Sequence, residues 1–284
     1  MIVKTMRNVN KEEKISNKFY KIARPDGWDF YTSKTINYRD NIGKTVRCPA
    51  KGRVKLCSST AIHASRDPNQ CFVGGSIPCS VYLVVGKPYA EDSDKCGFKQ
   101  LRVSKELNPE KVFKWRYKEA CNPIHPFKIK PPKKITKEHL KLLKQLASVR
   151  ASVGASVGAS VGDSVWASVG DSVWASVWAS VRASVRDSVW ASVWDSVGDS
   201  VGDSVWDSVG ASVWDSVGDS VGAYVGYLFA PVIKEWKYID HKEGEYPFQP
   251  AVDLWMLGLV PSFGGKKCRL HGGEKAGVLW GEKS

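Results

Sequence analysis

The chain has 284 residues, a formal charge of +13, 12 tryptophans and 7 cysteines, but these averages conceal a division. Residues 147–222 are 19 copies of a four-residue unit with a net charge of −6, which leaves +19 on the other 208 residues. No apolar run approaches the roughly 20 residues of a membrane-spanning helix, and residues 1–14 are too polar for a secretory signal. We therefore expect a cytoplasmic protein with no membrane contact. The odd number of cysteines favours free thiols over a disulfide framework.

Short apolar runs separated by turn residues predict a small strand-rich α+β domain over residues 18–121. The clearest strand candidate is 81–85, because β-branched and aromatic side chains favour strands. Further strands are expected at 19–23, 54–57 and 99–103. About 100 residues can bury one core, so this domain should fold on its own.

Several short motifs follow one another in this region: Lys55-Leu56-Cys57, Ile62-His63-Ala64-Ser65, Pro78-Cys79-Ser80-Val81-Tyr82-Leu83-Val84, Asp94-Lys95 and Leu101-Arg102-Val103. Their order resembles an uncharacterised type of small domain from bacterial and phage-like proteins. The resemblance covers about a third of the chain. It implies no activity, so it assigns no role to these residues.

His63 is the candidate catalytic residue, because Ser65 and Cys57 lie close to it in sequence and a nucleophile needs a neighbouring base. The alternative, which we favour, is a structural histidine at the end of a strand. A metal site is not expected, because structural zinc sites have paired ligands two to four residues apart. The gaps between neighbouring cysteines here are 8 to 17 residues; these cysteines are Cys48, Cys57, Cys71, Cys79 and Cys96. We expect no cofactor.

Residues 122–146 are expected to form a basic linker and a short helix. Pro131-Pro132 excludes a helix at that point, and Thr136 is a typical N-cap for a helix over 137–146. Lysines in this segment could contact phosphate groups, so association with nucleic acid through the basic flanks is one alternative function. A solvated basic face is the other interpretation. The candidate phosphate contacts are Lys128, Lys130, Lys133, Lys134 and Lys137.

Residues 147–226 form the repeat array, including one degenerate copy at its end. In all 19 regular copies the second and third residues are Ser and Val, the first is Ala or Asp, and the fourth is Gly, Trp or Arg. These alternatives differ by single bases in a twelve-nucleotide unit. We infer that the array arose by duplication, that it is recent or still changing in copy number, and that the side chains at its two variable positions are loosely constrained.

The backbone of the array is harder to predict. In a helix, a four-residue unit would rotate the valine stripe by about 40° per copy, and nine glycines would cost about 9 kcal/mol relative to alanine. The unit also resembles a shortened pentapeptide repeat, a family that forms a right-handed β-helix. We therefore predict a β-solenoid, with a long helix or disorder as alternatives. Tryptophans exposed on it would form a binding surface: Trp166, Trp174, Trp178, Trp190, Trp194, Trp206 and Trp214.

Residues 227–284 are expected to form a small α+β cap with a helix over 250–259, a hairpin at Gly264-Gly265 and a final strand over 278–280. Four motifs occur here, Trp236-Lys237-Tyr238-Ile239, Pro247-Phe248, Asp253-Leu254-Trp255 and Pro261-Ser262-Phe263. They resemble a tail that accompanies such arrays in uncharacterised bacterial and phage-like proteins. The resemblance implies no chemistry.

These features together predict a modular, non-enzymatic interaction or spacer protein built around a repeat rod of variable length. An unidentified protein is the expected partner. The alternatives are an enzyme of unknown reaction centred on His63, and nucleic-acid association through the basic flanks.

Overall fold

The computed structural model describes residues 17–32, 34–72, 75–164, 170–171, 173–178, 217–264 and 267–282. The chain divides into two compact units, Met1–Tyr117 and Lys118–Ser284. Within the described ranges the fold is mixed α+β, with three small antiparallel sheets and six helices. None of the helices in these ranges is both long and apolar enough to cross a membrane.

The first unit contains two antiparallel sheets. Its strands are β1 (Lys18–Ala23), β2 (Thr45–Arg47), β3 (Ile62–Ala64), β4 (Ser80–Val85), β5 (Ala90–Glu91), β6 (Cys96–Phe98) and β7 (Gln100–Leu107). The larger sheet has the order β1-β4-β7-β2, and the smaller has the order β3-β6-β5. Two short helices follow, α1 (Pro109–Phe113) and α2 (Tyr117–Cys121). The strands predicted at 19–23, 81–85 and 99–103 are confirmed. The strand predicted at 54–57 is wrong, because no strand forms there and Leu56 and Cys57 lie in a turn.

Strand β1 links the two sheets of the first unit. It pairs with β4 along its whole length, and Tyr20 exchanges two main-chain hydrogen bonds, of 2.7 and 2.9 Å, with Ser65 just after β3. On the core side, the rings of Phe19 and Phe98 meet edge to face at 4.9 Å. The two sheets of the first unit therefore meet along β1, and the gap between them lies beside this strand.

Apart from α2, most of whose residues belong to it, the second unit contains four helices and one sheet in its described residues. The helices are α3 (Lys137–Ser164), α4 (173–178), α5 (217–229) and α6 (Gln249–Met256). The strands are β8 (Leu259–Gly264), β9 (Lys267–Gly272) and β10 (Gly277–Gly281), in the order β10-β9-β8. The predicted helix start at 137 and the final strand are confirmed. The predicted hairpin is confirmed by the antiparallel pairing of β8 with β9 as far as Gly264 and Lys267; Gly265 lies outside the described residues. The predicted C-terminal helix is present but ends at Met256.

The predicted β-solenoid is wrong for the described part of the array, which is helical. Helix α3 does not stop at residue 146 but continues through the first four copies to Ser164, and α4 and α5 also contain array residues. The described copies form no strand and no repeat architecture.

The tetrapeptide suits a helix of limited length. In the array copies of α3 the buried residues are Val153, Ser156, Val157, Ser160 and Val161, which is the spacing of one helical face. From Val153 to Val161 the valine stripe rotates by about 80°, which still fits an apolar stripe about 100° wide. The rotation of the valine stripe by about 40° per copy therefore does not exclude a helix. It limits how many copies one helix can pack against the same partner.

The degenerate last copy holds the second unit together. Tyr224, which stands where the other copies have Ser, is fully buried and stacks on Trp255 with ring centroids 5.1 Å apart. The main-chain N–H of Ile124 donates to the Tyr224 hydroxyl at 3.1 Å, and the indole N–H of Trp255 donates to the carbonyl of Ile124 at 2.9 Å. This one side chain thus joins α5, α6 and the segment that precedes α3.

Candidate functional site

The first unit encloses a cavity of about 390 Å³, a volume typical of small-molecule sites. Its walls come from β1, from β3 and from the loops around residues 29–38, 48–50 and 57–61. The cavity therefore occupies the gap between the two sheets, where β1 and β3 meet.

Most of the cavity wall is apolar. Its larger apolar and aromatic lining residues include Ile22, Phe30, Ile36, Tyr38 and Ile62. Ile36, Tyr38 and Ile62 also belong to the core of the unit, so the cavity reaches into the core. An apolar ligand body placed there would be removed from water, which is favourable in proportion to the area buried.

A buried ion pair lies on one side of the cavity. The Lys21 ammonium is 2.9 Å from Oδ2 of Asp29, and both side chains are only 14% exposed. The main-chain amides of Tyr31 and Thr32 donate to Oδ1 of Asp29. Burial opposes the charge on Lys21, but Tyr38 and Asp29 outweigh it and raise the pKa of Lys21. Burial likewise opposes ionisation of Asp29, but Lys21 and the amides lower its pKa, so both groups are charged at neutral pH.

His63 lies in β3 and lines the same cavity. The main-chain N–H of Cys57 donates to its Nε2 at 3.1 Å. A main-chain N–H can only donate, so Nε2 is an acceptor and the proton of the neutral ring sits on Nδ1. Burial, followed by the charges of Lys21 and Lys95, lowers the pKa of His63, which keeps the ring neutral at pH 7.

Cys57 and Lys95 complete a polar cluster around His63. Cys57 is exposed and has a left-handed backbone with φ of 56°, a conformation that non-glycine residues rarely adopt. The hydrogen bond to the Cys57 side chain is the main cause that raises the pKa of Lys95. The Lys95 ammonium is also 3.6 Å from Oδ2 of Asp92 and only 12% exposed. We call Cys57, His63 and Lys95 the basic cluster of the cavity.

Cys71 has a structural role in the cavity wall. Its thiol donates to the carbonyl of Tyr20 at 3.1 Å. Burial raises the pKa of Cys71 to about 12. The thiol therefore stays protonated at neutral pH and fixes the loop after β3 against β1.

The lining residues carry a net positive charge. At neutral pH, Lys21 and Lys95 are positive and Asp29 is negative, while His63 is neutral. The Lys21 charge is matched by Asp29, whereas Asp92, the partner of Lys95, does not line the cavity. A ligand would therefore meet a largely apolar wall that also carries the Lys95 ammonium and the His63 ring.

The structure places only part of the predicted site in this cavity. His63 and Cys57 are brought together, and Ser65 lines the wall, but its hydroxyl donates to the carbonyl of Gln70 at 3.2 Å. Lys21 and Asp29 were missed by sequence reasoning. The available signal was a lysine in the middle of an apolar strand, which in a folded core requires a buried counter-charge.

The remaining predicted site residues lie elsewhere. Trp174 and Trp178 are half-buried, and the Trp174 ring lies against Gly222 of α5. The other five candidate tryptophans, Trp166, Trp190, Trp194, Trp206 and Trp214, lie outside the described residues. A protein-binding surface on the array therefore stays a prediction. In the described ranges, no group of three or more His, Cys, Asp or Glu side chains could hold a metal ion.

Comparison of this chain with protein-family models, with curated proteins and with solved structures found no match. The geometry of the cavity is therefore the basis for inferring function.

Proposed function

We propose that the first unit is a binding domain for a small ligand that joins an apolar body to an anionic group. The observation that carries the proposal is the 390 Å³ cavity with apolar walls and the basic cluster. Large apolar pockets with a few convergent polar groups are the usual form of ligand sites. In this proposal the Lys95 ammonium and the Nδ1–H of His63 bind the anionic group, and Ile36 and Tyr38 contact the apolar body.

The hydrogen bonding of His63 favours binding over catalysis. A general base needs a free lone pair within reach of the nucleophile's proton. Here the Nε2 lone pair accepts the main-chain N–H of Cys57, and Nδ1 carries the proton. His63 instead supports the strained Cys57 turn that lines the cavity. The proposal therefore agrees with the non-enzymatic interpretation of the sequence and assigns the binding role to the first unit.

A fluorescent probe of the matching chemistry tests the proposal. The probe is 8-anilinonaphthalene-1-sulfonate, which has an aromatic body and one sulfonate. We expect the full chain to bind one equivalent with enhanced fluorescence. Lys95→Gln should weaken binding several-fold, because it removes the cation but keeps the side-chain volume. Ala50→Trp should abolish binding, since Ala50 lines the cavity and a large ring there would fill it.

The matched control is Lys34→Gln, which removes one exposed positive charge outside the cavity and should leave probe affinity unchanged. Circular dichroism of each variant checks that the fold is retained. Equal probe binding by the wild type, Lys95→Gln and a folded Ala50→Trp variant would show that the probe binds elsewhere, and the proposal would be wrong.

A further inference from the structure

Seven lysines stand close together in the chain at the start of the second unit, and all are exposed. Within the described residues none of them forms an ion pair. They follow one another through the segment before α3 and its first two turns, and we call them the lysine ridge: Lys128, Lys130, Lys133, Lys134, Lys137, Lys141 and Lys144.

The first part of the lysine ridge is held against the rest of its unit. Ile129 and Pro131 pack on two glycines: a Cβ added to Gly258 would lie 2.9 Å from the carbonyl oxygen of Ile129, and one added to Gly272 would lie 3.1 Å from Cβ of Pro131. Phe127 is 2% exposed. Lys128 and Lys130 are exposed between these packed residues. The charges of Lys128 and Lys130 therefore lie on a segment that is held in place by packing.

The second part of the lysine ridge lies on one side of α3. Lys137, Lys141 and Lys144 have the i, i+4, i+7 spacing, which places them within about 60° of one another around the helix and over about 10 Å of its length. Leu143 and Leu146 on the opposite side are buried. The packing of α3 therefore turns the three lysines towards solvent.

Little negative charge lies near the lysine ridge in the sequence. Glu138 is the only acidic residue within 122–146. Hydrogen bonds from the Thr136 hydroxyl and from its own amide lower the pKa of Glu138, so this carboxylate is engaged at the start of α3. Three of the lysines, Lys133, Lys134 and Lys137, also lie at the helix N-terminus, where the helix dipole disfavours cations. An anionic partner would relieve this repulsion.

We propose that the lysine ridge binds the phosphate backbone of duplex nucleic acid without reading its sequence. Duplexes offer one negative charge per about 1.7 Å of axis, a density that matches closely spaced lysines. Base stacking is not part of the proposal, because Phe127 is the only Phe, Tyr or Trp within 122–146 and is buried. Contacts confined to phosphates carry no sequence information.

The test uses the full chain and a fluorescein-labelled duplex of about 20 base pairs, with affinity measured by anisotropy between about 50 and 200 mM salt. We expect affinity to fall linearly with salt on logarithmic axes. Replacing Lys130, Lys133, Lys134, Lys141 and Lys144 by Gln should weaken binding at least tenfold at low salt. It should also reduce the slope by about 0.9 for each phosphate that the variant no longer neutralises.

The matched control removes the same charge from the first unit, by Lys→Gln changes at exposed lysines without ion pairs within the described residues: Lys34, Lys51, Lys87, Lys105 and Lys111. It should retain most of the affinity and the slope. An equal loss in both variants would assign binding to overall charge and overturn the proposal. No binding at 50 mM salt would also overturn it, as would tighter binding to phosphatidylserine vesicles than to the duplex. Circular dichroism verifies that both variants are folded.

Discussion

The Lys21 side chain forms a buried ion pair in the first unit and also lines the cavity. Lys21 lies in β1 next to the buried Ile22, and Asp29 supplies the counter-charge from a separate loop. The Asp29 carboxylate is itself held by the amides of Tyr31 and Thr32. The pair therefore joins β1 to the 29–32 loop, and both elements line the cavity.

Asp29→Asn tests this link. The change leaves a buried ammonium without a counter-charge, and breaking a buried pair in this way typically costs about 3 kcal/mol. We expect the amides of β1 and β4 to lose hydrogen-exchange protection by a corresponding amount. Mass spectrometry of peptides from the full chain measures this for the first unit.

A double variant, Lys21→Met with Asp29→Asn, serves as the control for the ion pair. It removes both charges and keeps the side-chain sizes similar, so much of the protection should return. If the single and double variants are equally unprotected, the effect comes from the altered loop, and the ion pair does not stabilise the unit.

His63 could be identified as a candidate residue from the sequence, but its role could not. The motif brings Cys57, His63 and Ser65 close in sequence, and the structure does bring Cys57 and His63 together. The direction of the hydrogen bond decides the chemistry, and that depends on the left-handed turn at Cys57. Lys21 and Lys95 come from distant parts of the chain, so no local pattern could place them beside His63.

The secondary-structure elements differ in how far the sequence predicts them. Strand β4 and the hairpin of β8 and β9 have strong local signals and were predicted correctly. For the described copies of the array the predicted β-solenoid is wrong, because the helical penalty of the glycines was summed without regard to packing. In α3 the glycines face solvent, while Ser156, Val157 and Ser160 are buried, and this tertiary packing outweighs intrinsic propensity.

Matched glycine substitutions test the helical packing of the array. Gly154, Gly158 and Gly162 are exposed, and an added Cβ would meet nothing within 4 Å. Alanine at each position should therefore stabilise α3 by about 1 kcal/mol. Gly226 of α5 is different, because an added Cβ would collide with the Tyr246 hydroxyl and lie 2.9 Å from Val157.

We expect Gly226→Ala to destabilise the second unit by about 1–3 kcal/mol, in contrast to the three exposed positions. Thermal unfolding of the full chain, with hydrogen exchange of α3 and α5 peptides, measures both effects. Destabilisation by the exposed changes would contradict the helical arrangement of these copies.

For the whole molecule, charge is divided in a way that the average of +13 conceals. In the structure, the basic residues of the two units have different roles. Lys21 and Lys95 belong to a cavity in the first unit, whereas the lysine ridge is exposed on the second. A ligand for the cavity and a polyanion for the ridge would therefore respond differently to salt. Binding in the cavity should depend little on salt, because buried charges are weakly screened, and binding at the ridge should depend on it strongly.

The stability of both units should depend on pH, because each contains at least one histidine that is partly or fully buried. Burial lowers the pKa of His63 in the first unit and of His125 and His271 in the second. The His271 ring is held neutral between the Ser262 hydroxyl, 2.7 Å from Nε2, and the Ala276 carbonyl, 3.0 Å from Nδ1. The unfolded chain therefore binds protons first as the pH falls below about 6.5, the ordinary histidine pKa.

Since the unfolded state binds more protons, the free energy of unfolding must fall as the pH drops below about 6.5. Below about 4.5, protonation of carboxylates whose pKa is lowered in the fold, such as Asp29 and Glu106, destabilises the protein further. Thermal unfolding at pH 7.5, 6.5, 5.5 and 4.5 measures the effect, and histidine Cε1–H titrations by NMR should give midpoints below about 6.5 for these three rings. A melting temperature that rises from pH 7.5 to 5.5 would contradict the prediction, because it would require buried histidines that gain protons on folding.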